Sequence, residues 1–406
     1  MLKGKLRVRV AMVGVATVLM ASMSACGDSK AGAEGEIVVG TIQPLTSQIY
    51  SNPNSRDGLQ AAIDAINAEG GISGKKVRVQ ECDSNYDANK ELSCVRDLID
   101  ADVSAIVAPY IIVDQAGRPQ QAAEKAGIPW IGARGVALAD MQSKVSFPLS
   151  SGQAGWAYGT IATLIEHGAK NITVLIEGSQ PASQYQGKLQ RAALEAAGMT
   201  GRTVEGDSTA DPTWATAAAQ AAAGGTDGIV ITGTPAGYAK AVQALRSSGY
   251  KGLIASMTSM TSMANLEVLG DVANGILLVS QFAATTDTEN PGIAQFLEEL
   301  KKYAPDAVVD ESTLAGWAAG KLFAAVMKGK DDFSKESVLA AFKNLSDPVD
   351  ISVIPPYSVV GKEPPLQDEP RMFNNMVMPM TIKDVSPQAV GGFIDPFESL
   401  AKASGN

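Results

Sequence analysis

VVGTIQPLTSQIYSNPNSRDGLQAAIDAINAEGGISGKKVRVQECD, residues 38–83, reads as strand, polar loop, helix, glycine turn, strand. Ile37, Val38 and Val39 form an apolar run that ends at Gly40, the pattern of a strand buried on both faces. Leu59, Ala62, Ile63 and Ile66 fall at i, i+3, i+4 and i+7, which gives a helix one core-facing stripe. Gly70-Gly71 stops that helix, and the chain extends again from Lys75 to Gln80. The stretch is one βαβ unit. Its first strand and helix are separated by a long polar loop, Gln43 to Asn54. In open α/β sheets ligands bind just beyond the carboxyl ends of the strands, where such a loop lies.

The alternation continues outward. Leu92, Val95 and Ile99 make a helical stripe, residues 105–108 a short buried strand, 115–126 a helix, and 128–131 a strand ending at Gly132. Such an order calls for a parallel sheet covered by helices on both faces. Residues 145–151 look like a strand leaving that sheet, and the pattern then starts again. Helices over 156–167, 183–197, 213–223 and 236–248 alternate with strands over 172–176, 228–232 and 253–256. A strand over 275–282 and helices over 291–303, 312–328 and 335–344 follow. The tail over 349–369 is Pro-rich and irregular, and 372–382 is a last strand candidate. The chain's 406 residues suit two α/β domains rather than one core.

Lys3, Lys5, Arg7 and Arg9 precede an apolar run from Val10 to Met20 and then small residues, the layout of a secretory signal over residues 1–25. The run is too short to span a bilayer as a mature helix. Met23-Ser24-Ala25-Cys26 is similar to a bacterial lipobox, with Met23 in place of the usual leucine, so Cys26 is a candidate for lipidation and residues 27–35 for a tether. The alternative is an ordinary signal peptide with a chance cysteine. Loss of the signal's four positive charges takes the net charge from −10 to −14, which argues against nucleic acid and against electrostatic binding to anionic lipid. Cys82 and Cys94 then remain as an even pair flanking an acidic loop. In an exported protein they are expected to form a disulfide, two buried free thiols being the alternative.

These segments resemble the leucine/isoleucine/valine-binding family of ABC-transporter substrate-binding proteins. The pattern G-x-x-x-P-L-T, then G-x-x-x-A-I-x-x-I-N-x-x-G-G-I-x-G-K-x-V, is carried by Gly40, Pro44, Leu45, Thr46, Gly58, Ala62, Ile63, Ile66, Asn67, Gly70, Gly71, Ile72, Gly74, Lys75 and Val77. The resemblance implies the type 1 periplasmic binding protein fold: two Rossmann-like α/β lobes joined by three crossings, with the ligand between them. The crossings are expected near 148, 281 and 352. Residues 36–148 with 282–352 then make one lobe, and 149–281 with 353–400 the other.

In that family the first lobe holds a ligand carboxylate with hydroxyls and backbone N–H groups at a helix start and a strand end, a setting that favours an anion. Here those positions read Tyr110-Ile111-Ile112-Val113-Asp114 and Ala133-Arg134-Gly135, without the usual serines. Arg134 directly follows a strand, so its guanidinium could hold a carboxylate bidentately or pair with a neighbouring acid. Tyr110 could stack on a ligand or pack at the cleft wall. On the second lobe, strand ends lead to Gln180, Thr234 and Thr258, and no acid stands near Thr258 in the sequence. Gln48, Tyr50 and Tyr185 are further wall candidates. The Met257/Met260/Met263 spacing fits packing, although methionine also suits adaptable apolar pockets.

Catalysis has little support. His167, the only histidine, precedes Gly168 at a helix end, which excludes a His-based triad or a multi-His metal site. Gly70-Gly71-x-x-Gly74 follows a helix and precedes a strand, the reverse of a phosphate loop. Glu298-Glu299 and Asp331-Asp332 read as solvated surface acids. A hydrolase using carboxylates alone is the remaining enzymatic reading. The expectation is therefore an exported, lipid-anchored monomer without cofactor or metal. It would capture a small polar or acidic solute, amino-acid-like or carboxylate, and deliver it to ABC permease subunits. A sensor presenting its closed form to a membrane receptor is the alternative.

Overall fold

The computed structural model describes residues 35–405 except Ser262; the expected signal, Cys26 and most of the tether lie outside the described residues, as does the side chain of Met263. The opening unit folds as β1 (Ile37–Gln43), α1 (Asn54–Ala68) and β2 (Val77–Asp83). It continues through α2 (Ala88–Asp100), β3 (Ala105–Val107), α3 (Arg118–Ala126), β4 (Trp130–Ile131) and β5 (Ser146–Phe147). The five strands are parallel in the order β2-β1-β3-β4-β5. Cys82, on β2, and Cys94, in α2, are joined as a disulfide with Cα atoms 5.6 Å apart.

The second sheet is built from α4 (Gly152–Glu166), β6 (Ile172–Glu177), α5 (Pro181–Ala196), β7 (Arg202–Gly206), α6 (Ala215–Ala222), β8 (Gly228–Thr232), α7 (Pro235–Ser247), β9 (Leu253–Met257), α8 (Met263–Leu269) and β10 (Leu277–Ser280). Three helices then return to the first sheet: α9 (Pro291–Tyr303), α10 (Glu311–Met327) and α11 (Lys335–Lys343). Their Phe296, Leu314, Trp317, Phe323 and Phe342 share one core with Val39, Val107 and Ile131. The chain finishes in β11 (Met378–Lys383), β12 (Ser386–Ala389) and α12 (Pro396–Ala403). The second sheet runs β12-β11-β10-β9-β8-β6-β7, with β11 antiparallel to both neighbours.

The strand candidate over 372–382 begins later than its apolar residues suggest, because Phe373 packs in the first core and Asn374 donates to the Leu149 carbonyl at 2.9 Å. Two short edge strands, β7 and β12, carry weak patterns: β7 buries only Val204 and Gly206, and β12 contains Pro387 at the sheet edge.

Val353, Ile354 and Tyr357 also belong to the first core. We therefore propose that the lobes are joined at residues 148–152, 280–282 and 374–377, the last lying beyond the position near 352 drawn from the sequence. Side chains tie these passages together. Gln281 donates to the Gly152 carbonyl at 2.6 Å, and the Asn374 bond reaches Leu149.

The first turn of α10 reaches the gap between the sheets, and two glycines set how closely that helix lies on α1. A Cβ on Gly58 of α1 would stand 1.8 Å from the Thr313 carbonyl oxygen, and one on Gly316 of α10 would stand 1.8 Å from that of Ser55. Backbone lies against backbone, so neither site has a side chain that could yield. Gly58→Ala is expected to lower stability by at least about 1–3 kcal/mol, as overpacking does. Gly392→Ala, whose methyl would meet nothing within 4 Å, should be close to neutral. Denaturant midpoints of the two variants against the parent provide the check.

Candidate functional site

A cavity of about 180 Å³ opens where the carboxyl ends of the two parallel sheets face each other. The loops after β1, β2, β3 and β4 bring Tyr50, Tyr86, Tyr110, Ile112, Arg134 and Val136, and the start of α10 brings Ser312. From the other sheet, the starts of α4, α5 and α7 bring Gln153, Trp156, Gln180, Gln186 and Thr234, and the end of β9 brings Met257 and Met260. Tyr50 and Tyr86 meet with ring centroids 5.7 Å apart, and the Tyr50 and Tyr110 hydroxyls lie 3.5 Å apart. Burial, reinforced by Tyr110, pushes the Tyr50 phenol well above its ordinary pKa, so it acts as a neutral hydroxyl.

The charges in this cleft are balanced by the protein itself. Arg134, 4% exposed, pairs with Glu311 Oε1 at 2.6 Å and donates to Ser312 Oγ at 2.8 Å. Burial would lower its pKa, but Glu311, with Tyr110, Tyr50 and Asp310 adding to it, holds the guanidinium above its ordinary value. Glu311 Oε2 accepts hydrogen bonds from Ser280 Oγ at 2.8 Å and from Thr258 Oγ1. The guanidinium carbon sits 5.7 Å from the Tyr110 ring centroid and 5.5 Å from that of Trp156, so a resident cation already lies by two aromatic faces.

Two further carboxylates fill positions suited to an anion. Glu91, 1% exposed, accepts the backbone N–H groups of Ile112, Val113 and Asp114 at 2.9, 3.1 and 2.7 Å. Burial raises its pKa against the pull of these three bonds. Glu177 accepts the Thr234 N–H at 2.7 Å and the Ser208 hydroxyl at 2.6 Å. Free N–H groups at loop and helix starts attract anions. Here the resident glutamates take those N–H groups.

Two other hollows are less promising. One of about 390 Å³ adjoins Glu311, but Asp310 and Glu311 on its wall are engaged by Asn54, Thr313, Arg134, Thr258 and Ser280. Another, of about 360 Å³, is lined only by α10, α11 and the loops that follow them. Among the described residues no cluster of His, Cys, Asp and Glu could hold a metal ion, and no helix is long and apolar enough to cross a membrane.

A model of the periplasmic binding protein family matches residues 36–363. The chain belongs to the periplasmic binding protein family. None of the curated proteins matches it. Among solved structures it is similar to an extracellular ligand-binding receptor from Verminephrobacter eiseniae (17% identity, 87% of this chain and 99% of that chain covered, TM-score 0.73). It is also similar to the branched-chain amino acid transporter substrate-binding protein LivJ from Streptococcus pneumoniae, in complex with isoleucine (17%, 87% and 99%, TM-score 0.69). A fatty acid ABC transporter substrate-binding protein from Thermomonospora curvata aligns comparably (18%, 91% and 95%, TM-score 0.70). At such identities the likeness speaks to the fold, which is the type 1 periplasmic binding protein fold. The family consists of non-enzymatic, extracytoplasmic solute-binding proteins of the ABC-transporter type.

In this periplasmic binding protein, Tyr50, Tyr110, Ile112, Arg134, Gln180 and Thr234 come together at the cavity. Thr258 lines the neighbouring hollow and bonds Glu311. Ile111 is buried in the core behind β3, and Gly135 packs against Gly152. Gln48 is exposed, and Tyr185 is half-buried toward Glu369 and Asp368. His167 caps α4, its Nδ1 lying 2.8 Å from the Thr163 carbonyl oxygen. Glu299 is not a solvated surface acid: it is buried, accepts from Trp317 Nε1 at 2.7 Å and pairs with Lys321 at 2.6 Å.

Tyr86, Gln153, Trp156, Gln186 and Ser312 were not legible as site residues, because no motif marks them. Their positions early in helices or after strand ends were the only signal. The acid that the sequence lacks near Thr258 arrives from α10, fifty-three residues on. Glu311→Gln would leave the Arg134 charge buried without its counter-ion, at a cost of roughly 3–5 kcal/mol. Arg134→Met combined with Glu311→Gln should recover much of that loss. Equal unfolding midpoints for the single and double variants would contradict the mutual dependence of the two charges.

Proposed function

We propose that this protein captures a small organic solute with an uncharged polar head and an apolar body between its two lobes. It delivers that solute to ABC permease subunits from a lipid anchor on Cys26 at the outer face of the cytoplasmic membrane. The observation that carries the ligand class is the Arg134–Glu311 pair. With the guanidinium matched and the Ile112 to Asp114 N–H groups taken by Glu91, an anionic ligand would bring an unbalanced charge into a mostly apolar cleft. The acidic solute expected from Arg134 alone is therefore set aside in favour of a neutral one. Tyrosine, tryptophan and methionine walls suit an apolar body. At about 180 Å³ the space is smaller than the usual pocket for a drug-sized ligand, so the solute is small.

Walls drawn from both lobes make capture a matter of closure, since a solute touching both stabilises the closed form. A thermal-shift panel of amino acids, dicarboxylates, aromatic acids, amides and sugars tests this. At a hundredfold excess over Kd the right class should add about 2.7 kcal/mol. The same solute should reduce the radius of gyration in small-angle scattering, and Tyr110→Ala should weaken its binding at least tenfold. Stabilisation only by anions, or by no class at all, would remove this reading.

A further inference from the structure

The unpaired polar atoms of the cavity specify the head group more closely, on the premise that the cavity captures a solute. Gln186, in the second turn of α5, is 1% exposed and lines the cavity. Neither its Nε2 nor its Oε1 has a hydrogen-bond partner among the described residues. Exchanging the two atoms by an amide flip does not alter that statement. Trp156 Nε1, on α4, and Arg134 Nε, on the first lobe, are likewise buried and unpartnered there. Buried polar atoms are nearly always paired, and leaving one unpaired carries a real cost. Three residues that line one cavity thus carry unpartnered N–H donors, and one of them also carries an acceptor beside its donor.

We propose that the head group read by this cleft is a carboxamide, with Gln186 as the specificity-determining residue. A side-chain amide presents a donor and an acceptor edge to edge, and a planar partner with the complementary edge meets both at once, as glutamine does with adenine. A carboxamide oxygen retains a second lone pair for the Trp156 or Arg134 N–H. Other heads fail on one count each. A carboxylate has no donor for Gln186 Oε1 and adds charge where Arg134 is already matched. An amidine or ammonium has no acceptor for the indole and guanidine N–H groups. A ketone lacks the donor, and a hydroxyl cannot meet two separate atoms of one amide.

The test uses heads of similar size on two bodies. Benzamide, benzoate, acetophenone and benzamidine form the aromatic set; isobutyramide, isobutyrate, 3-methyl-2-butanone and isobutyramidine form the aliphatic set. Calorimetry on the purified protein should show the amide binding at least tenfold tighter than its three counterparts in one set or the other. Gln186→Met should abolish that preference, bringing the amide down to the affinity of its ketone counterpart. Gln186→Glu, which presents acceptors only, should turn the preference toward the amidine. Thermal unfolding of both variants verifies that they are folded. A preference for acid, ketone or amidine in the parent protein overturns the proposal, as does an amide preference that survives Gln186→Met. Failure of both sets while another solute of the wider panel binds overturns it too, and leaves solute capture standing. Binding by no solute of any class removes solute capture, and the carboxamide with it.

Discussion

The contact on which the cleft depends is the one between Arg134 and Glu311. It joins the loop after β4 to the first turn of α10, and through Ser280 and Thr258 it reaches the end of the second sheet. Both side chains are almost fully buried, so each charge is tolerable only because the other is present. The pair therefore does two things at once. It matches the positive charge that the sequence places at the cleft, and through Glu311 it fastens the first turn of α10 to Thr258 and Ser280 at the end of the second sheet.

That arrangement is repeated with less charge elsewhere in the cleft. Glu91 occupies three consecutive N–H groups after β3, and Glu177 occupies one at the start of α7. A fold whose strand ends and helix starts all converge on one gap creates a strong attraction for anions there. This chain answers it with its own carboxylates. What remains on the walls is aromatic, sulfur-bearing, amide-bearing, hydroxyl-bearing or aliphatic, and the buried unpaired side-chain atoms there are those of Gln186, Trp156 and Arg134 Nε. Chemical selectivity in such a site comes from hydrogen-bond direction rather than from net charge.

Support for this geometry lies well away from the cavity. Glu311 can meet Arg134 because α10 lies directly on α1, at the distance that Gly58 and Gly316 permit. Gln281 and Asn374 tie together the passages between the sheets. The Cys82–Cys94 bridge fastens the end of β2 to α2, the helix that carries Glu91. Packing, covalent cross-link and buried charge act on the same few loops.

Much of the fold was legible in the amino-acid order because secondary structure follows local patterns. The apolar run at Ile37, the stripe from Leu59 to Ile66 and the Gly70-Gly71 stop declare β1 and α1 within one short stretch. Aromatic and polar residues at strand ends pointed to Tyr50, Tyr110, Arg134, Gln180 and Thr234, since topology puts those ends at one gap. Short edge strands escaped because they bury few residues, and Gln186 and Trp156 escaped because a helical glutamine or tryptophan has many ordinary uses. The chain by itself determined that two α/β units face each other and that a positive charge stands at their meeting. Only the tertiary structure decided what that charge does. Its partner lies 177 residues away, on a helix that returns from the second sheet, and no local pattern records a meeting made by chain crossing.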